Sequence, residues 1–147
     1  MTAWTTHEVD KISAADELQI ASVRNDGTLR KPVTIWVVRH GGDFYVRSYK
    51  GRGASWFRGT QDRHEGHISA GVVESAGGIE SAGGIESAGG IEKDVTFVEE
   101  HDSGINDQLD TAYRTKYRRY SASFVTPMVS REARAATIKL VPRSRSS

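Results

Sequence analysis

The sequence predicts a small antiparallel β-barrel of the α+β class, with two or three helices on its periphery. Three observations carry that expectation. Runs rich in β-branched and aromatic residues alternate with tight-turn signals, most clearly at residues 33–39 and 44–48 around Gly41 and Gly42. The strongest helical pattern lies late in the chain, at residues 102–120, so helices and strands do not alternate as they would around a parallel sheet. The 147 residues suit a single domain, spanning the whole chain.

In chain order, residues 5–17 read as a helix. Thr5 and Glu8 form a capping box, with Trp4 and Val9 placed as a hydrophobic staple around it. Residues 18–23 alternate as a strand, and Asn25, Asp26 and Gly27 mark a turn. Residues 33–39 and 44–48 form a hairpin, with Trp36 and Phe44 expected in the core. A flexible loop around Gly51 and Gly53 follows, then a short helix that Ser55 caps. Strands follow at 66–70 and 93–99. In the helix at 102–120, Ile105, Leu109, Ala112, Tyr113, Lys116 and Tyr117 share one stripe, Asp102 or Ser103 caps it, and basic residues gather at its end. After an irregular piece at Pro127, residues 136–141 form a last strand, and residues 143–147 a flexible tail.

The hydrophobic share of 37% and charged share of 27% are those of a soluble globular protein. A net charge of +1 argues against a general nucleic-acid binder. No apolar run is long enough to span a membrane, and the N-terminus has neither the basic flank nor the apolar stretch of a signal peptide. The absence of cysteine excludes disulfides, thiolate metal sites and a cysteine nucleophile, and a cytoplasmic protein is the expectation. The near-neutral total hides an asymmetry. Residues 30–58 hold seven basic groups against Asp43 alone, and residues 69–100 hold seven acids against Lys93 alone. A basic segment in a small neutral domain attracts an anionic ligand; the plainer alternative is a solvated face neutralised by the acidic segment.

Residues 69–92 are four tandem six-residue units, three of them identical. With three units removed, an ordinary strand–turn–strand hairpin remains, so the units read as an insertion in a hairpin loop. A flexible acidic loop is favoured over a lengthened hairpin or a short solenoid, because the paired glycines work against strands. Among the five histidines, His64 and His67 are three apart, but no third ligand is evident and no metal site is expected. No phosphate loop, dinucleotide fingerprint or nucleophile elbow is present. Tyr113 and Tyr117 are the candidates for a substrate-polarising hydroxyl, against the simpler role of packing.

The pattern formed by Asp26-Gly27, Arg30, Pro32-Val33, Trp36, Val38-Arg39, Gly41-Gly42, Tyr45-Val46-Arg47-Ser48, Gly51, Trp56-Phe57-Arg58 and Ile68 to Gly71 resembles the flavin-binding split β-barrel superfamily. Within it the chain is similar to a small bacterial family of unassigned function, and more distantly to deazaflavin-dependent nitroreductases. The opening at Trp4 to Glu8 and the helix at Ala112 to Tyr117 share the likeness. The resemblance implies a homodimer holding FMN or a deazaflavin coenzyme at its interface, with Arg30, Arg47, Ser48, Lys50 and Arg52 gripping the phosphate. Arginine forks suit phosphate oxygens, and Trp56 offers a face to a flat ring. The expected activity is reduction of a small organic substrate. Two alternatives stay open: a cofactor-free barrel binding an anionic or aromatic ligand or a protein partner, and a cofactor-independent acid–base enzyme using Tyr113 and Tyr117.

Overall fold

The computed structural model describes residues 4–70 and 90–143. Helix α1 (Thr6–Ala14) opens with the expected capping box. The Glu8 amide donates to Thr5 Oγ1 at 3.1 Å, and the Thr5 amide donates to Glu8 Oε1 at 2.9 Å. Seven strands follow: β1 (Glu17–Ser22), β2 (Val33–Trp36), β3 (Val38–His40), β4 (Asp43–Arg47), β5 (Glu65–Ala70), β6 (Ile91–Glu99) and β7 (Thr137–Pro142). All neighbours pair antiparallel, in the order β2-β1-β5-β6-β7-β4-β3. Helix α2 (Ser55–Arg63) lies between β4 and β5, and α3 (Ser103–Lys116), α4 (Ala122–Val125) and α5 (Arg131–Ala135) lie between β6 and β7.

The two edge positions of this sheet, β2 and β3, are consecutive in the chain and separated only by Val37. The single strand expected at 33–39 is therefore two: its first half pairs with β1 and its second with β4, and together they nearly close a barrel. At the changeover the buried Val37 leaves both ladders, and a buried backbone needs other partners. The Val37 amide donates to Tyr117 Oη at 3.0 Å, and its carbonyl accepts from Lys116 Nζ at 2.8 Å. Tyr117 Oη also lies 2.6 Å from the Asp16 carbonyl, to which it donates. The stripe on α3 thus stitches the barrel seam.

Inside the barrel, Ile20, Val37, Phe44, Val46, Ile68, Val95, Phe97, Ile138 and Leu140 pack with Ile12 of α1 and Phe57 of α2. A second cluster, Val38, Tyr45, Leu109, Tyr113, Tyr117 and Met128, fills the space under α3. Gly66 of β5 admits no side chain: a Cβ there would fall 2.4 Å from both the Ala21 carbonyl oxygen and the Phe97 ring. In the β3–β4 turn, Gly41 adopts a φ of 62°, which suits glycine.

Several boundaries differ from expectation. Helix α1 stops at Ala14, because residue 15 is already extended. Helix α3 is capped by Asp102, whose carboxylate accepts from the Ile105 amide at 2.8 Å, and it ends at Lys116. The irregular piece at Pro127 holds α4 and α5. Ser55 is the first helical residue of α2 rather than its cap; the cap is Ala54, which supplies no side-chain acceptor. Strands β5 and β6 pair up to Ala70 opposite Ile91. The expected hairpin-loop insertion (69–92) lies mostly outside the described residues, as does residues 144–147 of the expected tail.

Candidate functional site

Because β3 pairs with β4 only from Val38↔Tyr45 to His40↔Asp43, the barrel wall stays open between β2 and the far end of β4. A cleft of about 900 Å³ fills this split. That volume lies in the range of small-molecule and cofactor sites. One wall is Glu17 and residues 33–36; the other is residues 47–50. Residues 53–56, where α2 begins, and residues 123–128, around α4, complete it.

Four of the six residues expected to hold a cofactor come together here: Arg47, Ser48, Lys50 and Trp56. Their roles differ by environment. Arg47 is 1% exposed, and every donor of its guanidinium is committed. Nε donates to Thr137 Oγ1 at 3.0 Å. Nη1 reaches Asp110 Oδ1 at 2.6 Å and the Met128 carbonyl at 3.0 Å. Nη2 reaches Asn106 Oδ1 at 2.8 Å and the Asn106 carbonyl at 3.1 Å. It ties β4 to α3, β7 and the segment after α4, and it has no donor left for a phosphate. Ser48 is equally buried, yet its hydroxyl has no hydrogen-bond partner. A buried hydroxyl without a partner costs about 1–3 kcal/mol, and of the five such buried side-chain atoms among the described residues Ser48 Oγ is the one that belongs to a cleft-lining residue. Lys50 is exposed and lines the same wall.

Arg30 and Arg52 lie outside the cleft lining. Arg30 pairs with Asp62 of α2, its Nε buried near Gly59. Arg52 donates to Glu99 Oε1 at 2.6 Å and to the Ala135 carbonyl at 3.0 Å, which fastens the loop before α2 to β6. That guanidinium also holds the Glu99 carboxyl below its usual pKa.

The two candidate catalytic tyrosines are in the outer cluster rather than on the cleft lining. Tyr117 is fully buried, its hydroxyl is occupied at the Val37 seam, and burial pushes it far above the usual phenol pKa. Tyr113 is fully buried with no hydrogen-bond partner for its hydroxyl, and burial raises it likewise, against the nearby Arg47. Tyr117 reaches the cleft indirectly: its ring stacks on Trp36 with centroids 3.8 Å apart and planes 2° apart. Of the histidines at 64 and 67, the first ends α2 in a left-handed conformation, and the second lies between Asp94 and Glu92. Among the described residues no group of three carboxylate or imidazole side chains is placed to hold a metal ion, and no helix is long and apolar enough to cross a membrane.

The sequence reading missed Glu17, Tyr49, Ser55 and Phe124 as cleft residues. Tyr49 and Phe124 are 54% and 63% exposed, an unusual state for large rings, and both border the cleft. Trp36, expected in the core, is only partly buried: it packs against the outer cluster and belongs to the cleft lining.

Solved structures share this architecture at low identity. A haem storage protein from Vibrio cholerae, HutZ, superposes with a TM-score of 0.61 at 12% identity, over 97% of this chain and 92% of that one. A FAD-binding protein from Mesorhizobium loti gives 0.56 at 12% identity, over 97% and 93%. An F420 reductase gives 0.52 at 12% identity, over 94% and 93%. The likeness establishes a split β-barrel. No curated protein matches the chain. A bacterial family model matches residues 8–84 and 77–140, two segments that overlap inside the tandem units. With nearly the whole barrel matched on both sides of those units, the chain belongs to the family described as "uncharacterized protein conserved in bacteria (DUF2255)".

Proposed function

We propose that the cleft binds a phosphate-bearing flat cofactor, FMN or a deazaflavin coenzyme, and that the protein is a reductase of a small organic substrate. The observation that carries the reading is the unpartnered, buried Ser48 hydroxyl in a cleft that also holds Lys50 and the uncapped start of α2. The first amides of a helix have no acceptor within the helix and favour an anion. A phosphate at this end would accept from Ser48, from Lys50 and from the first turn of α2, starting at Ser55. The ring would lie toward Trp56 and Trp36, beside the edge of β2 that pairs with no strand among the described residues. Such a cofactor supplies hydride transfer when bound; the chain supplies the anion grip, ring burial and orientation. Exposed Tyr49 and Phe124 at the cleft favour a second copy of the chain covering it as a homodimer. That the fold also serves a haem storage protein makes haem the natural competitor. Among the described residues the lining offers Tyr49 and Met128 as the side chains of a type that ligates haem iron, so haem is tested beside the flavins.

The test is a fluorescence titration of the purified chain with FMN, a deazaflavin coenzyme and haem, repeated on Ser48→Ala and Lys50→Ala. Micromolar binding of one flavin, weakened about tenfold or more by either substitution, is the expected result; loss of one charge-assisted contact is worth about 1.5–3 kcal/mol. Haem binding alone, or no binding, overturns the proposal and leaves a barrel serving another anionic or aromatic ligand.

A further inference from the structure

We infer that the Glu17 end of the cleft is a site for an organic cation, an alkylated ammonium or protonated nitrogen heterocycle. The inference rests on the reading of this cleft as the ligand site and names the chemistry of its second half. In the β1–β2 register Glu17 lies directly opposite Trp36, so the two side chains leave the same face of the sheet as neighbours. Glu17 is an exposed residue of the cleft lining, and its carboxylate has no hydrogen-bond or ion-pair partner among the described residues. Trp36 is fixed by Tyr117 stacked on one face and Tyr120 tilted at 5.2 Å, and the residue belongs to the cleft lining. Phe124 lies on the segment that completes the cleft, on a helix too short to bury it.

The cleft is therefore bipolar. Val33, Ala54 and Trp56 pack on the barrel core, at the end with Lys50 and Ser55. Trp36 packs on the outer cluster, as do Val125 and Val129, and along β2 it stands three residues from Val33, about 10 Å of extended chain. The other cation of the lining, Arg47, is buried and fully bonded, so it does not neutralise Glu17. Ring faces attract a cation through their quadrupole, and a carboxylate beside them balances its charge. Neutral and anionic rings gain nothing from Glu17. A ligand anchored by an anion near Ser48 thus meets, across the cleft, a subsite that favours positive charge.

The experiment uses the full chain without cofactor and three probes of similar size: benzyltrimethylammonium, benzyl alcohol and benzoate, titrated by calorimetry. The cation is expected to bind most tightly. Glu17→Gln should weaken it by up to roughly fivefold, the upper end for an exposed charge pair, and leave benzyl alcohol unchanged. Trp36→Leu should weaken the cation as well. Equal affinity for the three probes, no binding of the cation, or indifference to Glu17→Gln overturns the inference. FMN titrated into Glu17→Gln separates the two claims. FMN binding kept with cation preference lost leaves the phosphate end standing. Cation preference kept in a chain that never binds FMN or the deazaflavin refutes the cofactor and leaves this subsite.

Discussion

Replacing Arg47 by alanine separates a phosphate ligand from a structural tie. The guanidinium makes five hydrogen bonds, and its side chain has no exposed surface. Removing it leaves two carbonyls, Asn106 Oδ1 and Thr137 Oγ1 short of a donor, and opens space under Tyr113, over whose ring the guanidinium sits at 5.3 Å. Breaking a buried pair costs about 3–5 kcal/mol. Asp110 keeps Arg134 Nη1 at 2.7 Å, so its charge is not stranded and the lower half of that range applies. The expected loss is about 3–4 kcal/mol, or a fall in melting temperature of roughly 10–15 °C for a domain of this size. Urea unfolding followed by tryptophan fluorescence and circular dichroism reads it directly. An Arg47→Ala protein within about 1 kcal/mol of the parent that has lost anion binding would refute the structural assignment and return Arg47 to the phosphate.

Four further outcomes follow from the same geometry. Tyr117→Phe leaves the buried Val37 amide unpartnered and should cost about 1–3 kcal/mol in urea unfolding, whereas Tyr113→Phe removes a buried hydroxyl with no partner and should stabilise the protein by up to about 1–3 kcal/mol. Turnover abolished by Tyr113→Phe, in a protein at least as stable as the parent, would restore that residue as a catalytic candidate. Gly66→Ala should destabilise by more than about 2 kcal/mol, since its Cβ meets the Ala21 carbonyl and the Phe97 ring at 2.4 Å, and a variant as stable as the parent would contradict the close packing of Phe97 and β1 on Gly66. Burial lowers the Lys116 ammonium to about 8 from its usual 10.5. The unfolded chain therefore holds more protons between those values, and stability should rise with pH from about 8 toward 10. Solvent screening keeps the gain near about 1 kcal/mol. Above pH 10 the sign reverses, because burial raises Tyr45 to about 12, and the unfolded chain then loses protons first. The rise should be absent in Lys116→Met; its persistence there would assign it elsewhere.

The barrel was legible in the sequence because its strands carry their own period and their own turns. The Gly41–Gly42 turn, the capping box at Thr5 and the helix cap are local chemistry; the first two form as expected, and of the two cap candidates, Asp102 and Ser103, Asp102 is the one that caps. What sequence could not display was the role of Val37. Nothing in the run at residues 33–39 marks the residue where one strand changes partners, since closure is set by β1 and β4, distant in the chain. The same limit applies to the arginines. Arg30, Arg47 and Arg52 share a basic segment, yet Asp62, Asp110 and Glu99 reach them from 32, 63 and 47 residues away. Charge patterning finds cations and is blind to partners at such separations. Ser48, Lys50 and Trp56, which the resemblance implies as cofactor residues, do line the cleft: the first two follow the end of β4, and Trp56 lies on the first turn of α2. Glu17 and Phe124 escaped because each belongs to the cleft only through tertiary contact.

The central claim, that the split in the barrel is the cofactor site, is tested most directly at Gly53. This residue lines the cleft, and a Cβ there meets nothing within 4 Å. Gly53→Leu therefore adds a bulky side chain at the cleft lining where a Cβ meets no neighbour, and its melting temperature should match that of the parent within about 3 °C. Titrated with FMN and with a deazaflavin coenzyme beside the parent protein, the variant should lose at least tenfold in affinity for whichever the parent binds. Unchanged affinity in a folded Gly53→Leu protein would place the cofactor elsewhere and contradict the account.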